Sequence, residues 1–338
     1  MKLSARQRAL LSFGVAALLL ALLFGYGGVD PVEAGQTLLQ LSPATYLVAL
    51  GLHLAAYCLR AWRFQLLIPS SEGLRFRPAL SIAAAHNLAS YVLPLKAGEA
   101  SLIVYLKLHC GTPSATSLAA LLVSRFLDGA ALCSGLAWAC LSTSGTGPGA
   151  LWLESASLVL APLTLLFLLL SLRGDLLVRA LERSLRWFRI HRWRMGERLL
   201  LRTNGVALAL RVAGGKRRLL AAGLVTLPLW FALFGFDWVL ARAFGVPAEL
   251  SFLDCTLGAS LATLFNLLPI NAAAGAGTQE LGWVTGFHGA LGVDERVALT
   301  SAIGVHLVQL VNIVLLGLLA HVALGVSPRW RFPRPDPS

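Results

Sequence analysis

A chain of 338 residues that is 57% hydrophobic and only 13% charged is too apolar for a soluble fold, and its apolar runs approach the roughly 20 residues that cross a bilayer. The net charge of +12 would point to nucleic acid in a soluble protein, but here the basic residues stand in blocks between apolar spans, so they set membrane orientation and no nucleic-acid partner is expected. Five cysteines without paired spacing, seven histidines without metal-ligand spacing, and the absence of HExxH and GxSxG exclude a disulfide framework, a metal centre and hydrolase chemistry; no cofactor and no enzymatic activity is expected.

A first transmembrane helix is predicted over about 9–27, an uncleaved span rather than a signal peptide because no small-x-small site precedes Asp30. The loop after it carries Asp30 and Glu33 but no Lys or Arg, which places it outside and the N-terminus in the cytoplasm. A second span, about 44–68, returns inside at Arg60, Arg63, Arg75 and Arg77.

The next stretch, about 78–111, is broken by Pro94, Lys96, Gly98 and Glu99 and cannot be one clean span. A full helix over about 115–141 starts on the same side, so the broken stretch is expected to be a re-entrant pair of short helices that enters and leaves on the cytoplasmic face. A span over about 150–172 then leads to residues 173–218, which hold thirteen Lys/Arg against three Asp/Glu, a net +10. Leu177, Leu181, Leu185 and Phe188 share a helical face among Arg179, Arg183, Arg186 and Arg189, the pattern of a basic amphipathic helix on an anionic lipid surface. A span over about 219–244 runs outward, residues 252–291 are again interrupted, by Pro269, Asn271, Gly275, Gly277 and Glu280, and a last helix over about 296–325 ends inside before Arg329, Arg331 and Arg334. The second broken stretch therefore opens on the outer face.

The two halves keep a register. Glu99 to Arg125 is 26 residues and so is Glu280 to His306, and the same offset of 181 matches Gly111 with Gly292 and Leu118 with Leu299, and sets Asp128 against Gln309. The expected fold is all-α: six full transmembrane helices plus two re-entrant hairpins arranged as an inverted repeat, an architecture of secondary transporters. The expected organisation is a first helix and outer loop (1–43), a first repeat (44–141), a span with the basic segment (142–218), a second repeat (219–325) and a cytoplasmic tail (326–338).

In order along the chain stand Arg60 and Arg63, Asn87 with LPLKAGE, Gly111 and Thr112, SRFLDG from Ser124 to Gly129, then Pro269, a Gly-rich turn, Glu280 and Gly292. In these motifs the sequence resembles the lysylphosphatidylglycerol synthase transmembrane domain family, the membrane half of the multiple peptide resistance factor and its stand-alone relatives, over about 45–325. The resemblance implies translocation of a polar-headgroup lipid between leaflets; relatives are associated with aminoacylated phosphatidylglycerol, archaeal lipid-linked sugars and hopanoids. Two features depart from the family pattern: His306 stands where a basic residue, often Arg, is expected, and GAGTQE is looser than the usual turn. The residues after 325 are too few for a soluble transferase domain, and aminoacyl transfer is not expected.

The candidate substrate-binding residues are Arg60, Arg63, Asn87, Lys96, Glu99, Arg125, Asp128, Asn266, Asn271, Glu280 and His306. Lys96, Arg125 and the short-helix N-termini would offer positive charge and free N–H groups to a lipid phosphate, while Glu99 and Glu280, meeting near the midplane, would hold a cationic head group or a proton. Structural alternatives stay open: an i, i+3 pair for Arg125 and Asp128, a salt bridge from Glu99 to Arg125, interhelical hydrogen bonds for Asn87, Asn266, Asn312, His53 and His86, and snorkelling for Arg60 and Arg63. A membrane scaffold for a lipid or glycan synthesis complex is the rival function. The expected setting is a bacterial inner membrane with both termini cytoplasmic, and the sequence leaves room for a homodimer.

Overall fold

The computed structural model describes residues 41–69, 74–93, 98–143, 150–187, 206–213, 215–267 and 275–326, with 36 and 39 isolated. The first predicted helix, Lys96, Asn271, Phe188 and Arg189 lie outside the described residues, as do the side chains of Leu177, Leu181, Leu185 and Arg186.

Among the described residues the chain is helical throughout. In order stand α1 (Pro43–Leu67), α2 (Phe76–Val92), the short α3 (Ser101–Tyr105) running into a π-helical turn (Leu106–Cys110), α4 (Ser114–Thr143), α5 (Ala150–Trp187), α6 (Lys216–Ala243), α7 (Phe252–Leu267), the short α8 (Thr278–Val284) with its own π-helical turn (Thr285–Ala290), and α9 (Glu295–Val326). Five helical stretches are long and apolar enough to cross a membrane: Pro43–Leu67, Ser114–Ser142, Ser155–Gly174, Lys216–Ala243 and Glu295–Gly325. They match the predicted spans other than the first, and the chain is an all-α membrane protein.

Helix ends follow local chemistry. Ser42 caps α1, its Oγ accepting from the Thr45 N–H at 3.1 Å, with Pro43 opening the helix. Ser251 and Asp254 form a reciprocal capping box at the start of α7, with bonds of 2.8 and 3.2 Å. Asp294 caps α9 by accepting from Arg296 and Val297. α2 stops at Leu93, the residue before Pro94, where the helical conformation is disfavoured. The predicted break at 172 falls one residue before Arg173, whose φ of −128° bends α5; the helix then continues to Trp187, so the basic stretch begins as an extension of the span.

The two interrupted regions share a backbone course. Each passes from a short α-helix into a π-helical turn and ends at a left-handed glycine, Gly111 (φ 73°) or Gly292 (φ 70°). The long helices that follow start at Ser114 and Glu295, again 181 apart. Packing repeats this relation. α1 packs broadly on α6, while α2 of the first half lies on α9 of the second and α7 of the second lies on α4 of the first. A large apolar core gathers α1, α2, α3 and α4 around Leu67, Ile82, Leu102 and Leu106, a second gathers α6, α7, α8 and α9 around Phe236, Leu240, Trp283 and Phe287, and two smaller clusters join the halves, α2 to α9 and α4 to α7. A Cβ on Gly98 would collide with the Ala89 carbonyl, so only glycine lets the chain fold back against α2 just before Glu99.

Candidate functional site

The middle of the bundle is polar. Asp128 is the fifteenth of the 29 residues in the Ser114–Ser142 apolar stretch, its midpoint, and it collects four donors. Arg63 donates twice, Nη1 to Oδ1 at 2.6 Å and Nη2 to Oδ2 at 3.0 Å; Arg125 Nη1 donates to Oδ2 at 3.3 Å, and the Trp230 indole N–H to Oδ1 at 3.1 Å. Arg125 in turn grips Glu99 through Nε at 3.0 Å and Nη2 at 2.8 Å to both carboxylate oxygens. Two arginines and two carboxylates thus close a neutral network across α1, the Glu99 turn and α4, the form in which charge is tolerated at membrane depth.

Arg60 stands outside that network. Its Nη1 donates to Asn87 Oδ1 at 3.0 Å, the Asn87 amide donates to the Tyr57 hydroxyl at 2.7 Å, and the Arg60 guanidinium lies 5.9 Å from the Tyr57 ring centre. Among the described residues no carboxylate lies within ion-pair distance of Arg60, and its Nε has no partner. This is a cation held in place by neutral groups.

The second half answers with amides. Asn266 donates to Gln279 Oε1 at 3.3 Å, Gln279 to Gln309 Oε1 at 2.7 Å, and Gln309 to the Tyr91 hydroxyl at 2.7 Å. Gln309 occupies the register of Asp128, so an uncharged relay stands where the first half has an ionic hub. Near it Glu280 pairs with His306 at 2.5 Å, as Glu99 pairs with Arg125.

Between these arrays lies a cavity of about 360 Å³, lined from both halves by Arg60, Asn87, Tyr91, Glu99, Arg125, Asp128, Trp230, Asp237, Asn266 and Gln309 among others. A space of that size accepts a small polar group. Six predicted site residues line it: Arg60, Asn87, Glu99, Arg125, Asp128 and Asn266. Arg63 does not; it is 1% exposed and sits behind Asp128, also donating to Thr226 at 3.1 Å, which removes the snorkelling alternative for this residue. Lys96 and Asn271 lie outside the described residues.

Glu280 and His306 are not among the lining residues, whereas Glu99 is. Glu280 is drawn away by its own helix: its Oε2 accepts the Gly277 N–H at 2.8 Å, capping α8, while Oε1 meets His306. One N–H at that helix start, that of Gly277, is therefore already used. Sequence reasoning missed Asp237, Tyr57, Tyr91 and Trp230 as cavity residues. For Asp237 the signal was present, since a carboxylate inside the apolar run 219–244 is costly without a function; the aromatics carry no such mark.

A membrane bundle of broken helices around a polar cavity defines the class. The family model for the lysylphosphatidylglycerol synthase TM region matches residues 9–317, and the chain belongs to that family. Comparison with curated proteins and with solved structures returned no match.

Proposed function

We propose that the chain is a lipid translocase, with no enzymatic step, that moves a polar head group between leaflets through the cavity while the acyl tails stay in the bilayer. The observation that carries this is Arg60, a guanidinium lining an intramembrane cavity with no carboxylate at ion-pair distance among the described residues. Arg60 is the eighteenth of the 25 residues of α1, and a charge inside an apolar membrane helix is costly unless it has a partner. A lipid phosphate bound there supplies the missing negative charge, and the arginine fork matches its oxygens.

The same reading gives the interrupted segments their role as re-entrant hairpins in an inverted repeat. At 1.5 Å per residue the 17 residues of α2 and the 16 of α7 reach about 25 Å, short of the roughly 30 Å hydrocarbon core. The shared π-turn, left-handed glycine and offset support two copies of one unit, and the loop charges give them opposite orientation. In the sequence the apolar run 9–27 would supply a sixth span, and the loop charges would set both termini in the cytoplasm of a bacterial inner membrane with the basic stretch against anionic lipid; pairing as a homodimer fits the same reading.

Reconstitution of the full chain into phosphatidylethanolamine and phosphatidylglycerol vesicles with head-group-labelled lipids tests the proposal. Movement of label between leaflets above protein-free vesicles supports it. Covalent change of the lipid would make the protein an enzyme, and neither result would leave the scaffold reading.

A further inference from the structure

The neutral network leaves one intramembrane carboxylate over. Asp237 on α6 lines the cavity, and among the described residues it accepts no hydrogen bond and meets no basic side chain at ion-pair distance. α6 packs on α1, and His53 of α1 lines the same cavity while only 5% exposed. Its Nδ1 is buried without a partner. The imidazole is positioned by ring contacts instead, stacked on Tyr57 at 5.1 Å and tilted against Phe236, the residue before Asp237, at 5.0 Å.

Other described histidines make at least one hydrogen bond, although His86 also leaves its Nε2 without one. His86 bonds Ser101 at 2.9 Å, His288 the Val293 carbonyl at 2.8 Å, and His321 both Tyr105 and the Gly317 carbonyl. Buried polar groups are ordinarily satisfied, so an unspent imidazole and an unspent carboxylate opening on one cavity call for a ligand. An imidazole that itself becomes a cation makes the spot unsuited to an ammonium group. It suits a proton, which both groups can carry.

We propose that Asp237 and His53 form a proton-binding pair in the cavity, through which lipid movement is linked to proton movement. The inference rests on the translocase reading. A proton bound to an Asp237 oxygen passes through the cavity to a His53 ring nitrogen and back, so only O–H and N–H bonds are made and broken. Most of the charged and titratable groups facing the pair are otherwise engaged. Arg125, Asp128 and Glu99 belong to the closed network, Tyr57 and Tyr91 accept from Asn87 and Gln309, and Cys255 of α7 is buried, while Arg60, bonded to the neutral Asn87, adds a positive charge to the same cavity. Proton release from the pair changes the charge of the cavity that holds the head group, which is the physical basis for linkage.

Infrared difference spectra across a pH titration test this on the full chain in phosphatidylethanolamine and phosphatidylglycerol vesicles. A titrating carboxylic-acid C=O band is expected in the parent protein, lost in Asp237→Asn and retained, displaced, in Asp237→Glu, with its midpoint moved in His53→Gln. Retention of Asp237→Glu guards against a merely misfolded Asn variant. No titrating band in the parent, or a band untouched by Asp237→Asn, overturns the pair. Labelled-lipid movement in the same vesicles separates the two readings: lipid movement without the band removes the proton pair alone, whereas the band without lipid movement removes the translocase and the linkage with it.

Discussion

Arg63 and Asp128 form a doubly bonded ion pair, 2.6 and 3.0 Å, at the midpoint of an apolar helix, with the arginine 1% exposed. Removing one partner of such a pair strands the other charge, at about 3–5 kcal/mol. Arg63→Met is therefore expected to lower stability by about 3–5 kcal/mol, read as a large fall in the thermal midpoint in detergent. Asp128→Asn is expected to cost at least as much, because it leaves the buried Arg63 without a carboxylate and sets an amide NH2 against the Arg63 Nη2 and Arg125 Nη1 donors, whereas in Arg63→Met the aspartate keeps Arg125 and Trp230. Equal stability of parent and Arg63→Met would show that the pair contributes nothing.

Glu99 and Glu280 are predicted to part company. Glu99 lines the cavity and neutralises Arg125, so Glu99→Gln leaves a second uncompensated cation there and slows labelled-lipid movement several-fold. Glu280 faces its own helix start and His306. Glu280→Gln is expected to keep the rate within about twofold while costing about 1 kcal/mol through the weakened cap. Equal slowing by both variants would restore the two glutamates to one site.

Gly111 tests the shared turn. Its φ is 73° and a β-carbon added there would meet nothing within 4 Å, so Gly111→Ala brings conformational strain but no clash. A cost of about 1–2 kcal/mol is expected, and less for Gly111→Asn, since Asn tolerates the left-handed region. Thermal unfolding of the two variants side by side checks the order.

The relay through Tyr91, Gln309 and Gln279 predicts coupling between the halves. Tyr91→Phe and Gln279→Leu each break one link to Gln309, so a double-mutant cycle on stability should show non-additivity of about 0.5–3 kcal/mol. Additive losses would mean that the bonds act separately.

Much of this is legible in the sequence. Prolines, glycines and charges mark the limits of the five apolar stretches to within a few residues, because bilayer thickness and the cost of intramembrane charge constrain them strongly, while the continuation of α5 to Trp187 is not foreseen. The Glu99–Arg125 salt bridge is legible as an alternative, whereas the Glu280–His306 pair at the same 26-residue spacing emerges only in the structure. Tertiary choices are not written locally. That Arg63 turns inward while Arg60 lines the cavity, that Glu280 folds back to cap its helix, and that Tyr91 reaches Gln309 218 residues away all depend on how α1, α2 and α9 pack. The π-turns also escape, as they leave no distinctive pattern of apolar residues.

Arg60 carries the central claim. In vesicles holding equal amounts of folded parent and Arg60→Gln protein, labelled-lipid movement should fall about tenfold or more, the loss expected when a charged hydrogen bond of about 1.5–3 kcal/mol to the phosphate is removed. Arg60→Lys should lie between them. Equal rates in parent and Arg60→Gln vesicles would contradict the account.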